Sequence, residues 1–350
     1  MSAKKRRPRK RKTLPRSRVF VLGAGVSVSS GIVAAKDILR ESVVRLAQIN
    51  KQKAKRVISL LTHLYPNFQP VLMNYPNIED FLNLLEMARR FNSEEFIEST
   101  TWAKQKLDEV KAITLKAVTD YIWERMQQIS GSNAVSQFVR DHLKPGDTVV
   151  TFNWDITIER ALWNEGLAFW YHNSLETDKD SVTILKPHGS IDWFQQKHLS
   201  GVSKNGNVMK LDTKVAVYTK FNFSENPGLL RFQPVIVPPV AAKEFPFYVL
   251  KRTWRSVYRK ISRATSLNIL GYSLPKEDLF ARLVLGRALR TNRIRAERGQ
   301  KRPLRVLVVN PDESTEITFR RLVGPGVKRF SFHQATFENF ISGLKETDDL

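Results

Sequence analysis

Five short apolar segments, each followed by a helical pattern, constrain the fold of this chain more than any other feature. They read RVFVLGAG, TVVTF, SVTIL, SLNILGYSL and LRVLVVNPD in chain order. Apolar runs of this length, bounded by turn residues, are typical of strands that are buried on both faces. Strands that alternate with helices pack as a parallel sheet with helices on both sides. We therefore expect an α/β fold built on a doubly wound parallel sheet.

Two longer segments interrupt this alternation. Residues 34–145 follow the first strand and carry apolar residues at spacings of three and four, which predicts a helical insertion. Residues 195–240 combine short strand patterns with polar turns and predict a small strand-rich insert. Residues 1–17 are rich in lysine and arginine and are expected to form a disordered basic tail, so that one domain spans 18–345.

The chain is strongly basic and contains no cysteine. With 57 lysines and arginines against 34 acids, its 350 residues carry a net charge of +23. Such surfaces attract the phosphates of a nucleic acid or an anionic cofactor, although a solvated basic face is the plainer explanation. One basic stretch, Lys251–Arg263, has an apolar stripe, so we expect an amphipathic helix packed on the sheet. The lack of cysteine excludes disulfides, a cysteine nucleophile and thiolate zinc sites.

The apolar segments are too short for a membrane span. No run approaches the roughly 18 apolar residues that a spanning helix needs. The basic N-terminus is not followed by the apolar segment of a secretory signal. We expect a cytoplasmic protein without membrane contact.

A glycine-rich turn follows the first strand, in VFVLGAGVSVSSGI. Gly23 and Gly25 permit a tight turn and the close approach of backbone to a pyrophosphate at a helix N-terminus. The pattern is incomplete, because Val28 stands where a G-x-G-x-x-G motif has its third glycine. Taken alone, an ordinary strand-to-helix loop explains the segment equally well.

The other strands also end in small or hydrogen-bonding groups. The five ends carry Gly25 and Ser27, Asn153 and Asp155, His188, Ser273, and Asn310. One at a time, these are ordinary turn or loop-capping residues. Ligands of doubly wound sheets gather beyond the carboxyl ends of the strands, however, and five coincidences are harder to explain than one. A histidine at such a position can act as a general base near neutral pH.

The ordered set of motifs resembles a known family. GAGVSVSSGI, TFNWD, KPHGSIDW, GYSLPKED and VVNP resemble the motifs of the sirtuin (Sir2) superfamily, over about Val19 to Phe340. NIEDFL, HGSIDW, the PVIVPP run and GYSLP are more similar to the divergent SIR2-like domains of prokaryotic antiviral defence. The four zinc-binding cysteines of deacylating sirtuins are absent, and Val33–Lys36 stands where those enzymes carry Pro-x-Phe-Arg. The resemblance thus implies a Rossmann-like domain without a zinc module.

The resemblance implies an NAD+ glycohydrolase that cleaves its substrate NAD to ADP-ribose and nicotinamide, needs no metal and acts in antiviral (abortive-infection) defence. Two alternatives stay open: an NAD-dependent protein deacylase, and a non-catalytic module that senses NAD or ADP-ribose or associates with nucleic acid. The chain leaves little room for a sensor, so we expect homo-oligomers or a partner such as an ATPase or an Argonaute-like protein. The basic tail and patches are candidates for nucleic-acid contact.

The resemblance also implies roles for individual residues. Asn153 would hold the attacking water and the ribose hydroxyls, and His188 would be the general base. Asp155 would meet the carboxamide of nicotinamide. Cofactor contacts, chiefly to phosphate, would come from the turns at Gly23, Ala24, Gly25, Ser27, Gly271 and Ser273, and the adenosine ribose would meet Asn310. Glu79 and Asp80 of NIEDFL are interpreted as an acidic pair at a helix N-terminus rather than as catalytic residues.

Overall fold

The computed structural model describes residues 17–93, 104–128, 133–171, 180–199, 208–219, 231–238, 247–324, 327, 329–344 and 350. The basic tail expected over residues 1–17 lies outside these ranges except for its last residue. No helix within the ranges is long and apolar enough to cross a membrane.

A parallel sheet forms the centre of the molecule. The strands of the described residues are β1 (Arg18–Leu22), β2 (Thr148–Thr151), β3 (Phe169–Tyr171), β4 (Val182–Leu185), β5 (Trp193–Gln195), β6 (Val208–Lys210), β7 (Val215–Tyr218), β8 (Ser266–Leu270), β9 (Arg305–Val309) and β10 (Arg329–His333). Seven of them pair in the order β10-β9-β8-β1-β2-β4-β3, and every neighbouring pair is parallel. The expected doubly wound parallel sheet is therefore confirmed.

Helices flank this sheet and fill the segment after its first strand. They are α1 (Ala24–Val28), α2 (Ala35–Ile49), α3 (Lys51–Leu64), α4 (Ile78–Ser93), α5 (Lys104–Gln128), α6 (Asn133–Gln137), α7 (Thr157–Asn164), α8 (Gln196–Leu199), α9 (Tyr248–Ile261), α10 (Leu279–Glu297), α11 (Ser314–Val323) and α12 (Phe337–Ser342). A 3₁₀ turn at Pro70–Leu72 and a π-helical turn at Phe138–His142 complete the described elements.

The central strand β1 is buried on both faces, which is why its sequence shows no polar alternation. Phe20 and Leu22 pack in one apolar cluster, with the helices that precede β2 and end the chain. Val19 and Val21 point to the opposite face, into a second cluster with α9 and α10. Trp254 of α9 is buried in this second cluster, so the basic stretch that we expected to be an amphipathic helix does pack on the sheet.

The long segment between β1 and β2 forms its own apolar cluster. Leu39, Leu60, Phe81 and Val118 come from α2, α3, α4 and α5 and are fully buried together. The same cluster includes Trp154, just past the carboxyl end of β2. The helical segment therefore lies over the edge of the sheet where the parallel strands end.

A small antiparallel sheet, in the order β5-β7-β6, follows the fourth parallel strand. Part of the expected strand-rich insert, residues 200–207, 220–230 and 239–240, lies outside the described residues. Between β5 and that gap the chain forms the helical turn α8 rather than a strand. The PVIVPP run returns toward the parallel sheet, where Ile236 forms an antiparallel bridge with Gly189.

Candidate functional site

A cavity of about 330 Å³ opens where β1, β2, β4 and β8 end. Its floor is formed by residues that follow these strands, and its roof includes Ile38, Ile78 and Ile122 of the helical segment. The position is the switch point of the sheet, because the chain leaves β1 toward β2 on one side and returns through β8 on the other. Doubly wound sheets bind their ligands at this point.

Asn153, Ser27 and Asp155 form one hydrogen-bonded network on the cavity floor. The Asn153 Nδ2 group donates to the Ser27 hydroxyl at 2.7 Å and to the carbonyl of Gly23 at 2.9 Å. The Ser27 hydroxyl in turn donates to Asp155 Oδ2 at 2.6 Å. Since both N–H bonds of the Asn153 amide have protein acceptors, the group that this side chain could offer a ligand is the acceptor Oδ1.

His188 is held by a carboxylate that the sequence motifs had not singled out. Its Nε2 lies 2.8 Å from Oδ2 of Asp278, and the Asp278 side chain is fully buried. The other oxygen of Asp278 accepts the backbone N–H of Ala281 at 2.9 Å and caps α10. The contact turns Nε2 toward the carboxylate and leaves Nδ1 as the ring nitrogen on the other side.

The loop that carries His188 is fixed by the PVIVPP run. The backbone N–H of Val237 donates to the His188 carbonyl at 2.8 Å, and Ser190 N–H donates to the carbonyl of Val235 at 3.1 Å. Gly189 between them has a φ of +77°, and a Cβ built on it would lie 2.0 Å from the Val235 carbonyl oxygen. Only glycine fits this position, for its conformation and for the approach of the neighbouring chain.

The two glycine-rich turns touch each other directly. The Gly25 N–H donates to the Gly271 carbonyl at 3.0 Å, and a Cβ on Gly25 would lie 2.8 Å from the Gly271 Cα. Gly23 likewise donates to the carbonyl of Leu270 at 3.1 Å. The sequence predicts that these glycines allow the backbone to approach a pyrophosphate closely. Their close approach in the structure is to the second turn, and the amide of Gly25 is already bonded there.

Aromatic rings form one wall of the cavity. Phe152 and Tyr272 are stacked with centroids 4.3 Å apart, and the His188 ring meets Phe152 at 5.2 Å. Trp254 lies behind them, 5.8 Å from the His188 ring. Burial, together with the nearby carboxylates of Asp278 and Glu79, holds the pKa of Tyr272 well above its ordinary value, so its hydroxyl stays protonated.

The acidic and basic side chains that line the cavity are four carboxylates and His188. Asp155, Asp278, Glu79 and Glu277 line it, and no lysine or arginine of the described ranges does. At its rim, burial and the neighbouring Glu277 raise the pKa of Asp80. A cavity with this charge suits the cationic part of a ligand and leaves phosphates to backbone amides and hydroxyls.

A buried ion pair contacts the backbone of Asp155. The side chains of Lys186 and Glu159 are fully buried, with Nζ 2.9 Å from Oε1, and Nζ also donates to the Asp155 carbonyl. The Tyr171 hydroxyl donates to the same Glu159 oxygen at 3.1 Å. Nearby Asp192 is also buried, and desolvation raises its pKa to about 7 although Lys186 opposes the shift.

The structure brings most of the expected site residues together. Ala24, Ser27, Asn153, Asp155, His188, Gly271 and Ser273 line the cavity. Gly23 and Gly25 lie in the first turn but are not lining residues. Asn310 ends β9, one strand further from β1, where its Oδ1 accepts the N–H of Asp312 at 2.9 Å and does not line the cavity.

Sequence reasoning missed two groups of residues at this site. Asp278 stands in the quoted segment GYSLPKED, but nothing in its spacing indicates a histidine 90 positions away. Lys186 is the charged residue of the segment ILKPHG and is fully buried. A lone lysine at the end of an apolar strand could have indicated a buried ion pair such as the one with Glu159. Glu79 lies in the first turn of α4 as expected, and it also lines the cavity.

In the described part of the chain, no group of three or more acidic or histidine side chains is placed to hold a metal ion. The polar groups that line the cavity are the Asn153 amide, His188 with the carboxylate of Asp278, the hydroxyl of Ser27 and further acids.

Comparisons with known proteins place the chain in a family. Residues 147–323, slightly more than half of the sequence, match the family model of the SIR2-like domain. This segment includes Asn153, Asp155, His188 and Asp278, whereas the first glycine-rich turn precedes it.

Solved structures with similar chains include a Sir2–p53 peptide–NAD+ complex and a sirtuin structure titled for the structural basis of substrate affinity. Both are 13% identical to this chain, cover 93% of it over 91% of their own lengths, and have TM-scores of 0.41 and 0.38. No curated protein sequence matches the chain significantly. On the family match, which covers half of the sequence, this chain belongs to the SIR2-like domain family.

Proposed function

We propose that the protein is an NAD+ glycohydrolase, which cleaves NAD to ADP-ribose and nicotinamide. The observation that carries the proposal is the composition of the single cavity at the switch point. It combines the Asn153 amide, the His188–Asp278 pair and an acidic lining without lysine or arginine among the described residues. The membership in the SIR2-like family supports NAD as the substrate.

The acidic lining suits the charge changes of this reaction. The bond between C1′ of the ribose and the pyridinium nitrogen breaks, and its electron pair neutralises the ring as nicotinamide leaves. Positive charge then develops on the ribose, where the carboxylates that line the cavity stabilise it. Water adds to C1′ and loses a proton, so the products are ADP-ribose, nicotinamide and one proton.

Asn153 is proposed to orient the water or a ribose hydroxyl. We expected its amide to donate and to accept toward the ligand. Both donor bonds are made to Ser27 and Gly23, so its part is narrowed to accepting a hydrogen bond through Oδ1. An acceptor pulls a hydroxyl hydrogen toward itself and turns the oxygen lone pair toward the reacting carbon.

His188 is proposed to accept the proton at Nδ1. Asp278 fixes the tautomer through Nε2 and stabilises the imidazolium that forms, as a buried carboxylate does for a catalytic histidine. General bases of this kind contribute roughly 10²- to 10⁴-fold to a rate.

The experiment that tests the function incubates purified protein with NAD and follows nicotinamide and ADP-ribose by chromatography. We expect turnover in the wild type and a loss of at least about 100-fold in Asn153→Ala and His188→Ala. Asn164→Ala and His63→Ala are matched controls on the exposed surface and should retain the wild-type rate. Wild-type turnover in either site variant would contradict the assigned roles.

Two further arms separate the alternatives. An acetyl-lysine peptide is added, because a deacylase would release nicotinamide in proportion to peptide deacetylated and leave NAD intact without it. The absence of cysteine argues for hydrolysis, since the deacylases that the sequence resembles carry a four-cysteine zinc module. NAD binding by calorimetry without product in any arm would instead indicate the non-catalytic module.

We propose that the activity serves antiviral defence in the cytoplasm and is controlled by homo-oligomerisation or by a partner, such as an ATPase or an Argonaute-like protein. The support is the resemblance of NIEDFL, HGSIDW and GYSLP to defence-associated domains. In cells challenged with phage, the NAD pool should fall with the wild-type protein and stay constant with Asn153→Ala. A pool unaffected by infection in both strains would contradict the defence role without bearing on turnover in vitro.

A further inference from the structure

A second concave surface, which we term the α9–α10 groove, has a volume of about 730 Å³. Its lining residues are Lys251, Trp254, Arg255, Tyr258, Arg259, Phe280, Leu283, Val284 and Arg287. None of them lines the cavity at the ends of the strands. The groove is therefore a separate feature of the surface.

The two walls of the α9–α10 groove differ in chemistry. On α9, Lys251, Arg255 and Arg259 are exposed and follow one another at spacings of four, so they form one cationic stripe. On α10, Leu283 lines the groove and is 55% exposed, and Leu279, four residues before it, is 53% exposed outside the lining and extends the apolar stripe. Apolar side chains as exposed as these, beside a row of cations, are typical of interaction sites.

The charge around the groove has one sign. Every charged residue of α9 is a lysine or an arginine. Helix α10 carries arginines and, near its C-terminal end, Glu297, which pairs with Arg293 away from the lining residues. An occupant with carboxylates would complement this field, whereas a second copy of this basic chain would meet repulsion.

The floor of the groove favours a protein over a nucleic acid. Trp254 is only 3% exposed and meets Phe280 edge-on at 4.9 Å, and the Tyr258 hydroxyl is bonded to Thr291 at 2.9 Å. The Trp254 and Phe280 rings are packed against each other, which limits the open ring faces on which single-stranded bases could stack. The most exposed apolar side chain of the lining is Leu283, which pairs with aliphatic side chains.

We propose that the α9–α10 groove docks an acidic amphipathic helix of a partner protein. The apolar face of that helix covers Leu283 in the groove and extends to Leu279 beside it, and its carboxylates face the stripe of Lys251, Arg255 and Arg259. Side chains at i and i+4 follow one another along a single helix face, so stripes with that spacing match a second helix laid along them.

The groove rests on the elements that hold the candidate catalytic histidine. Trp254, on the floor of the groove, has its ring 5.8 Å from the His188 ring. Asp278 caps α10, the helix that forms the apolar wall. Docking does not depend on the reaction proposed above, and it is tested by binding alone.

The test titrates the full chain into a fluorescein-labelled 18-residue peptide, with leucines on one helical face and glutamates beside them, and follows anisotropy. We expect saturable binding that weakens at least tenfold in Arg255→Glu/Arg259→Glu and in Leu283→Asp. Lys53→Glu/Lys55→Glu on the exposed surface of α3 changes the net charge equally and should bind like the wild type. Thermal unfolding of each variant confirms the fold.

Three outcomes would overturn the proposal. Equal binding of a scrambled peptide of the same composition would show attraction by charge alone. Binding of a labelled single-stranded 20-nucleotide oligomer that the Arg255→Glu/Arg259→Glu change abolishes, with no peptide binding, would assign the groove to nucleic acid. A dimer in light scattering that the same change dissociates would make it an interface between copies of this chain.

Discussion

Replacement of Lys186 by methionine tests whether the ion pair beneath Asp155 is as buried as the structure indicates. Lys186 and Glu159 are both fully buried, with Nζ 2.9 Å from Oε1. Methionine has a similar length and removes the charge, which leaves the Glu159 carboxylate without its cation. Breaking a buried pair by removal of one partner typically costs about 3–5 kcal/mol, because the remaining charge is desolvated.

The size of the expected effect can be converted to a melting temperature. The entropy of unfolding is about 2.1 cal/mol/K per residue, or about 0.7 kcal/mol/K for a chain of 350 residues. Lys186→Met should therefore melt about 4–7 °C below the wild type at pH 7.5. The measurement is thermal unfolding followed by circular dichroism, with urea unfolding for the free energy.

The double variant Lys186→Met/Glu159→Gln provides the control. Glutamine keeps an oxygen that accepts from the Tyr171 hydroxyl, and neither charge of the pair remains. It should recover at least about 2 kcal/mol of the loss. A double variant as unstable as the single one, or a single variant within about 0.5 kcal/mol of the wild type, would refute this reasoning.

The remaining predictions concern the turn at His188, its carboxylate and Asp192. Gly189→Ala should be destabilised by several times the roughly 1–2 kcal/mol that a left-handed backbone costs, since its Cβ meets the Val235 carbonyl. Gly146→Ala at a φ of +89° with open space around it should show the backbone cost alone in urea unfolding. Asp278→Asn keeps the cap of α10 but not the charge beside His188, so NAD turnover should fall at least about 100-fold with little change in melting temperature; an unchanged rate would remove Asp278 from the mechanism. Burial raises the Asp192 pKa to about 7, so this group favours the folded state at low pH and the contribution is lost as pH rises to 7. Asp192→Asn should therefore gain stability relative to the wild type between pH 5 and 8, and a difference independent of pH would contradict the assigned shift.

The sheet and the position of the site follow from local features of the sequence. A buried parallel strand must be apolar throughout, as RVFVL is, and a polar group directly after it lies at the edge where ligands bind. Asn153 and His188 satisfy this rule, and the structure places both in the cavity.

What the sequence did not predict depends on the order of the strands. Asn310 satisfies the same rule but ends β9, which is separated from β1 by β8, so it does not line the cavity. Asp278 reaches His188 because β8 lies beside β1 and helix α10 begins over the cavity. Local periodicity does not encode where Asn310 and Asp278 lie relative to the cavity. Both positions depend on crossovers between segments that are far apart in the chain.

The order of the strands also fixes when the site can exist during synthesis. Strand β1 pairs with β2 on one side and on the other with β8, which is synthesised much later than both. The turn at Gly271 and the carboxylate of Asp278 likewise follow Asn153 and His188 in the order of synthesis. A nascent or truncated chain that ends before Ser266 holds Asn153 and His188 but lacks one wall of the cavity. The cavity is thus complete only after the chain has been made past Asp278, because its walls come from segments that are far apart in the sequence.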